Sequence, residues 1–156
     1  MALRAQLRTN YPRHRIHYSH GRLVRFVRKV GFSPVYWRNF FMATADEVFD
    51  HHLSVFGSGN IDEILTDYTE DTIMIYGDRA WRGLSGARDF FRMWIDDLIP
   101  AGSTFDIIDR VTIDDWLYIT WTAESPRYKF DYGTDTFLIR DGKILRQTVA
   151  TFHHEK

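Results

Sequence analysis

The sequence predicts an α+β domain over residues 43–156, with three helices followed by an antiparallel meander of strands. Three observations carry this. Apolar residues recur at helical spacing up to about residue 99. Beyond Gly102 the chain alternates in segments rich in Ile, Val, Thr, Phe, Trp and Tyr. Turn residues punctuate those segments, most clearly Asp141-Gly142. Helices first and strands afterwards place the helices on one face of a sheet.

The first helix follows from Ala45, Val48, Phe49, His52, Leu53 and Phe56, which form one apolar stripe. Thr44 and Glu47 make a capping box, and Gly57-Ser-Gly59 ends the helix. A second, short helix starts at Asn60 as N-cap and turns Ile61, Ile64, Leu65 and Tyr68 inward. Residues 72–76 read as a short strand closed by Gly77-Asp78. A third helix follows Gly83, with Ser85 as the expected N-cap. Its wide apolar face comprises Ala87, Phe90, Phe91, Trp94, Ile95 and Leu98, and Pro100-Ala-Gly102 stops it. Residues 104–113, 116–124, 129–140 and 143–153 are the four expected strands.

Charge sets a boundary at Met42-Ala43. Residues 1–42 hold nine Lys/Arg and no acid, whereas residues 43–156 hold eleven Lys/Arg and all 21 acids, a balance of −10 within an overall −1. The leading segment contains a basic amphipathic stretch, with Leu23, Phe26, Val27 and Val30 on one face. Three readings stay open for it: an organellar transit peptide, a basic arm for a polyanion or an anionic membrane surface, or translation from a start upstream of Met42. Cysteine is absent, which excludes disulfides, thiolate metal sites and a Cys nucleophile, and suits the cytoplasm. No apolar run reaches the roughly 18 residues of a membrane span. The acidic balance of residues 43–156 argues against nucleic acid as a partner.

Several motifs, in order, carry a family resemblance. They are Phe56-Gly-Ser-Gly-Asn-Ile-Asp-Glu-Ile64, Asp67-Tyr-Thr-Glu-Asp-Thr72, Trp81-Arg-Gly83, and Thr134-Asp-Thr-Phe137 running into Asp141-Gly-Lys-Ile144. Together they resemble the SnoaL-like branch of the nuclear transport factor 2-like superfamily, over nearly all of residues 43–156 and none of 1–42. The resemblance implies a cystatin-like cone: a strongly curved, mostly antiparallel sheet wrapped around the helices. It also implies an apolar pocket at the wide mouth and a homodimer formed through the sheet. The fold hosts many activities, so function rests on the pocket positions.

Alternation puts Asp131, Gly133, Asp135, Phe137 and Ile139 on one face, and Leu145, Gln147, Val149, Thr151 and His153 on the other strand's matching face. Asp135 sits between apolar neighbours, where desolvation favours the neutral acid. In ketosteroid isomerases, which this chain resembles distantly, the matching position is a hydrogen-bond-donating aspartic acid. Alternatively, Asp135 pairs with a neighbour such as Arg146 or faces a subunit interface. His52, on the stripe of the first helix, matches a tyrosine donor of those isomerases; it serves as acid/base partner of Asp135 or as a satisfied core histidine. His51 falls on the surface. Tyr76 stands where the isomerases carry their catalytic aspartate, and a phenol is a poor base near neutrality. Gln147 and Thr151 are candidate polar contacts for a substrate. Trp81, Phe91, Trp94, Trp121 and Val149 are candidate walls, or plain core. A metal held by His52, Asp135 and His153 is disfavoured, and no cofactor is implied.

The expected function is a cofactor-independent acid/base enzyme of cyclase, isomerase, dehydratase or hydratase type. Asp135 and His52 are its catalytic pair, and a small apolar carbonyl or hydroxyl compound is its ligand. The alternative is a non-catalytic ligand-binding or dimerisation module of the same fold.

Overall fold

The computed structural model describes residues 43–156, so the basic stretch of the leading segment lies outside the described residues. Helix α1 (Ala45–Ser58) begins with the expected capping box. The Thr44 hydroxyl accepts from the Glu47 amide, and the Thr44 amide donates to the Glu47 carboxylate. Gly59, at φ 71°, caps its C-terminus in the left-handed region, where a side chain is disfavoured. Helix α2 (Ile61–Ile64) starts with the Asn60 side chain accepting from the Glu63 amide, and tightens into a 3-10 turn at Leu65–Asp67.

Strands β1 (Ile73–Tyr76) and β2 (Arg79–Arg82) form a hairpin. Strand β2 was not expected from the sequence. It is a four-residue edge strand with an Arg at each end, too short and too polar to show a hydrophobic rhythm. Helix α3 (Gly83–Met93) continues through a wider π-type turn at Trp94–Leu98. Its start corrects the expected cap. Ser85 lies inside the helix, and the Leu84 amide donates instead to the carboxylate of Glu70, 3.3 Å away. A distant acid thus meets the positive end of the helix, a contact that no local spacing announces.

Four long strands follow: β3 (Thr104–Ile113), β4 (Trp116–Glu124), β5 (Tyr128–Arg140) and β6 (Lys143–Glu155). The sheet order is β2-β1-β6-β5-β4-β3, antiparallel except where β1 runs parallel to β6. Asp141 and Gly142 both take positive φ, as the β5–β6 hairpin requires. Register breaks interrupt the long strands at Ile107/Asp109, Trp121/Ala123, Phe130/Tyr132 and Leu138/Ile139. Such breaks bend strands and increase twist, which is how the sheet curls around the helices.

The breaks also correct the simple alternation. Asp131 falls at the Phe130/Tyr132 break, lies exposed and pairs with Lys129 and His154. Ile144, not Leu145, is the fully buried residue at the start of β6. Beyond those points the alternation holds. Asp135, Phe137 and Ile139 on β5, with Gln147 and Val149 on β6, face the core. Phe49 of α1 meets Phe137 edge to face, with ring centroids 5.3 Å apart, and seats the helix on the concave side.

Candidate functional site

One cavity opens between α1, α3 and the concave face of the sheet. Phe49, Leu53 and Phe56 wall it from α1; Phe90, Phe91 and Trp94 wall it from α3 and its π turn. Ile119, Trp121, Phe137 and Val149 form its floor. The room for the centre of a water-sized sphere is about 40 Å3. At roughly 10–15 Å3 per water, that is space for a few waters or the end of a small molecule. Its polar members are His52, Asp135 and Gln147, together with the indole groups of Trp94 and Trp121.

Asp135 is 8% exposed and accepts two hydrogen bonds. The Trp121 indole N–H donates to Oδ1 at 2.8 Å, and the Gln147 amide Nε2 donates to Oδ2 at 2.8 Å. The Tyr68 hydroxyl donates to Gln147 Oε1 at 2.7 Å, which orients that amide. Burial pushes the Asp135 carboxyl up to about 6, against the two donors, which favour the anion. Arg146 is not its partner; that guanidinium donates to backbone carbonyls, including Asp71 O.

Trp121 can lie beside Asp135 because its β5 neighbour is Gly133. The indole covers the glycine so closely that a Cβ there would fall 2.2 Å from Trp121 Cε2. Phe105 packs on the indole with ring centroids 4.8 Å apart.

His52 is 5% exposed and lines the same cavity, ringed by Phe49, Phe56, Tyr68, Phe91 and Phe137. Burial drives its pKa down to about 3, so the ring is neutral near pH 7. Asp135 is not among its hydrogen-bond or ion-pair partners. Its nearest carboxylate is Asp67, whose Oδ2 lies 3.8 Å from His52 Nδ1. His51 is part-exposed, as expected, and its Nδ1 meets the other oxygen, Asp67 Oδ1, at 2.8 Å.

Of the expected contact residues, Phe91, Trp94, Trp121, Gln147 and Val149 line the cavity, and Tyr76, Trp81 and Thr151 do not. Tyr76 lies behind Trp94, with ring centroids 5.1 Å apart, and its hydroxyl shares a 3.0 Å hydrogen bond with Thr151. Trp81, on edge strand β2, packs edge-on against Phe90. His153 stacks on Phe130 and bonds to Thr151. It does not join His52 and Asp135, and among the described residues no group of three or more acidic or His side chains could hold a metal ion.

Two members of the site were missed from the sequence, Tyr68 and Asp67. Both lie in the Asp67-Tyr-Thr-Glu-Asp-Thr72 motif, where the apolar rhythm marks Tyr68 only as packing. A phenol on an apolar helix face is the one signal available, since its partner Gln147 is 79 residues away.

The family model for the SnoaL-like domain matches residues 49–147. No curated protein matches the sequence significantly. Among solved structures, the chain is similar to SalBIII, an epoxide hydrolase/cyclase-like enzyme of pyran ring formation in polyether salinomycin. That likeness is at 19% identity and TM-score 0.60, over 72% of this chain and 95% of that one. It is similar to a putative ketosteroid isomerase from Kribbella flavida at 10% identity and TM-score 0.59, over 71% and 81%. An LEH-like epoxide hydrolase from M. tuberculosis aligns at 14% identity and TM-score 0.58, over 69% and 82%. Identities this low establish a shared fold only. The family match covers more than half of the chain and takes in all of the cavity lining but Val149, and the chain belongs to the SnoaL-like domain family.

Proposed function

We propose that this domain binds a small, largely apolar molecule bearing a carbonyl, epoxide or hydroxyl oxygen, and moves a proton on it. Asp135 is the general acid/base. The observation that supports this reading is a carboxyl buried in an aromatic cavity, held by two N–H donors and poised near pH 6. A group whose pKa lies near the working pH can both give and take a proton. As the neutral acid it protonates a substrate oxygen. As the anion it takes a proton from carbon, with the Trp121 and Gln147 N–H groups stabilising its charge. In an isomerisation the same proton returns at another position, so none is consumed. His52, neutral at pH 7, serves as a hydrogen-bonding partner for the substrate across the cavity rather than as a charged acid. The cyclase-like, isomerase-like and epoxide hydrolase-like structural neighbours agree with such chemistry.

The test uses two small probes: α-deuterium exchange into cyclohexanone and ring opening of cyclohexene oxide. Asp135→Asn should lower the protein-catalysed rate of whichever probe reacts by about 10²–10⁴-fold, the usual worth of one acid/base group. The variant should fold, because the Gln147 amide can turn over and the Tyr68 hydroxyl can then accept. Equal rates in both proteins would overturn the assignment. The narrowness of the cavity favours one rival, a non-catalytic binding module, and that rival predicts ligand binding with no turnover.

The same proposal includes a homodimer formed through the outer face of the sheet. Val111, Ile113, Trp116, Tyr118, Tyr132 and Phe152 are all exposed there, and the registers Val111↔Tyr118, Ile113↔Trp116 and Tyr132↔Phe152 make them neighbours. Sedimentation should give the mass of two chains, and Trp116→Glu should give one. A wild-type monomer at micromolar concentration refutes the dimer.

A further inference from the structure

Two buried polar atoms face each other without partners at the back of the cavity. His52 Nδ1 and Asp67 Oδ2 are 3.8 Å apart, each is fully enclosed, and neither makes a hydrogen bond. Buried polar groups are normally satisfied, so two orphans aimed at one another mark a contact left open by a small margin. Closing the gap by about 1 Å gives a hydrogen bond of ordinary length.

The surroundings fix the direction of that bond. Asp67 lies in the 3-10 turn after α2, and its Oδ1 is already held by His51 Nδ1 at 2.8 Å. Burial raises the Asp67 carboxyl above its usual range, with the His51 hydrogen bond and the charges of His51 and Lys143 pulling the other way and Glu63 adding to the rise; His51 Nε2 faces Glu63 at 3.6 Å, and Lys143 donates to Thr66 O. Tyr68, the remaining titratable neighbour, gives its hydroxyl to Gln147. Nothing else among the described residues occupies Oδ2. An aspartate oxygen accepts, so the ring nitrogen opposite it must donate. Asp67 does not line the cavity and His52 does, so the ring turns Nδ1 away from the ligand space.

We propose that Asp67 is a positioning residue for His52. Its free oxygen keeps the ring proton on Nδ1, and the cavity therefore meets the bare lone pair of Nε2. The ligand then carries a donor, a hydroxyl or enol O–H, at the His52 end, and an oxygen acceptor at the Asp135 end. This specificity rests on reading the cavity as a ligand site, whereas the tautomer itself does not. A second carboxylate holding a neutral imidazole by its far nitrogen is the usual device for choosing which nitrogen works.

The experiment is a long-range proton–nitrogen correlation spectrum of the 15N-histidine-labelled protein without ligand, with His52 assigned by its loss in His52→Gln. Wild-type protein should show the Nδ1–H tautomer in about tenfold or greater excess, the yield of one hydrogen bond to a charged acceptor. Asp67→Ala should shift His52 towards Nε2–H, and Asp67→Glu should restore part of the excess. A wild-type His52 carrying its proton on Nε2 overturns the proposal even if no Asp67 variant folds. So does a tautomer ratio that Asp67→Ala, folded by circular dichroism, leaves unmoved. Neither result depends on turnover, so this proposal and the acid/base role of Asp135 fail separately.

Discussion

Replacing Gly133 by alanine tests the arrangement that places the candidate acid. The new Cβ would lie 2.2, 2.4 and 2.5 Å from three carbons of the Trp121 indole. Trp121 is 2% exposed and wedged among Trp94, Phe105 and Phe130, so it has little room to move beyond the narrow cavity that it floors. Either β4 and β5 part locally or the indole turns and releases Asp135. Overpacking of this kind costs about 1–3 kcal/mol. Losing the indole N–H bond to the carboxyl adds about 1.5–3 kcal/mol. Where the indole turns, the sum, about 2.5–6 kcal/mol, is a large share of the roughly 5–15 kcal/mol that holds a domain together. Urea unfolding followed by circular dichroism should show that loss, with Tm lower by about 10 °C or more. Gly133→Ala should cost at least about 1 kcal/mol less when introduced into Trp121→Phe, because the clashing ring is gone. Equal costs in the two backgrounds would refute the packing argument. In the single variant the Asp135 pKa should also rise above its present value of about 6, since one donor that favours the anion is lost.

Three further outcomes follow from the same geometry. Asp135, raised from 3.8 to about 6, contributes stability below pH 4 that is lost as pH rises through 6, whereas His52, lowered from 6.5 to about 3, contributes stability above pH 6.5 that is lost as pH falls. The two slopes oppose each other between pH 4 and 6. The stability of Asp135→Asn relative to wild type should therefore climb by about 2 kcal/mol from pH 4 to 7 in urea titrations, and a flat difference would contradict the burial of that carboxyl. Tyr76→Phe should leave probe turnover unchanged, because Tyr76 stands behind Trp94, and a 100-fold loss would return it to the site. Thr44→Ala should lower stability by about 1 kcal/mol through loss of the α1 capping box, measured by thermal melting.

The elements that the sequence announced are those built on local rules. Thr44 and Glu47 cap α1 because they are three residues apart, and Asp141-Gly142 turns because both positions tolerate positive φ. Asp135, Gln147 and Val149 were assigned to the concave face by alternation alone. Alternation failed only where a register break inserted a residue, at Asp131 and Leu145. Edge strand β2 escaped notice because two arginines and a four-residue length leave no pattern to read. Ser85 was mistaken for a cap because the true acceptor, Glu70, approaches from outside the helix.

The site divides in the same way. Composition and periodicity placed an acid and an imidazole on buried faces, since burial follows from the apolar residues on either side. What each one touches is a matter of tertiary distance. Asp135 and His52 were expected to pair, yet the fold gives Asp135 to Trp121 and Gln147 and turns His52 towards Asp67. Those contacts join β4 to β5, β5 to β6, and α1 to the turn after α2. Side-chain chemistry and local rhythm determined which groups leave water. Only the curled sheet and the angle of α1 decided which of them meet, because a hydrogen bond forms or fails within about an ångström and no sequence pattern carries that precision.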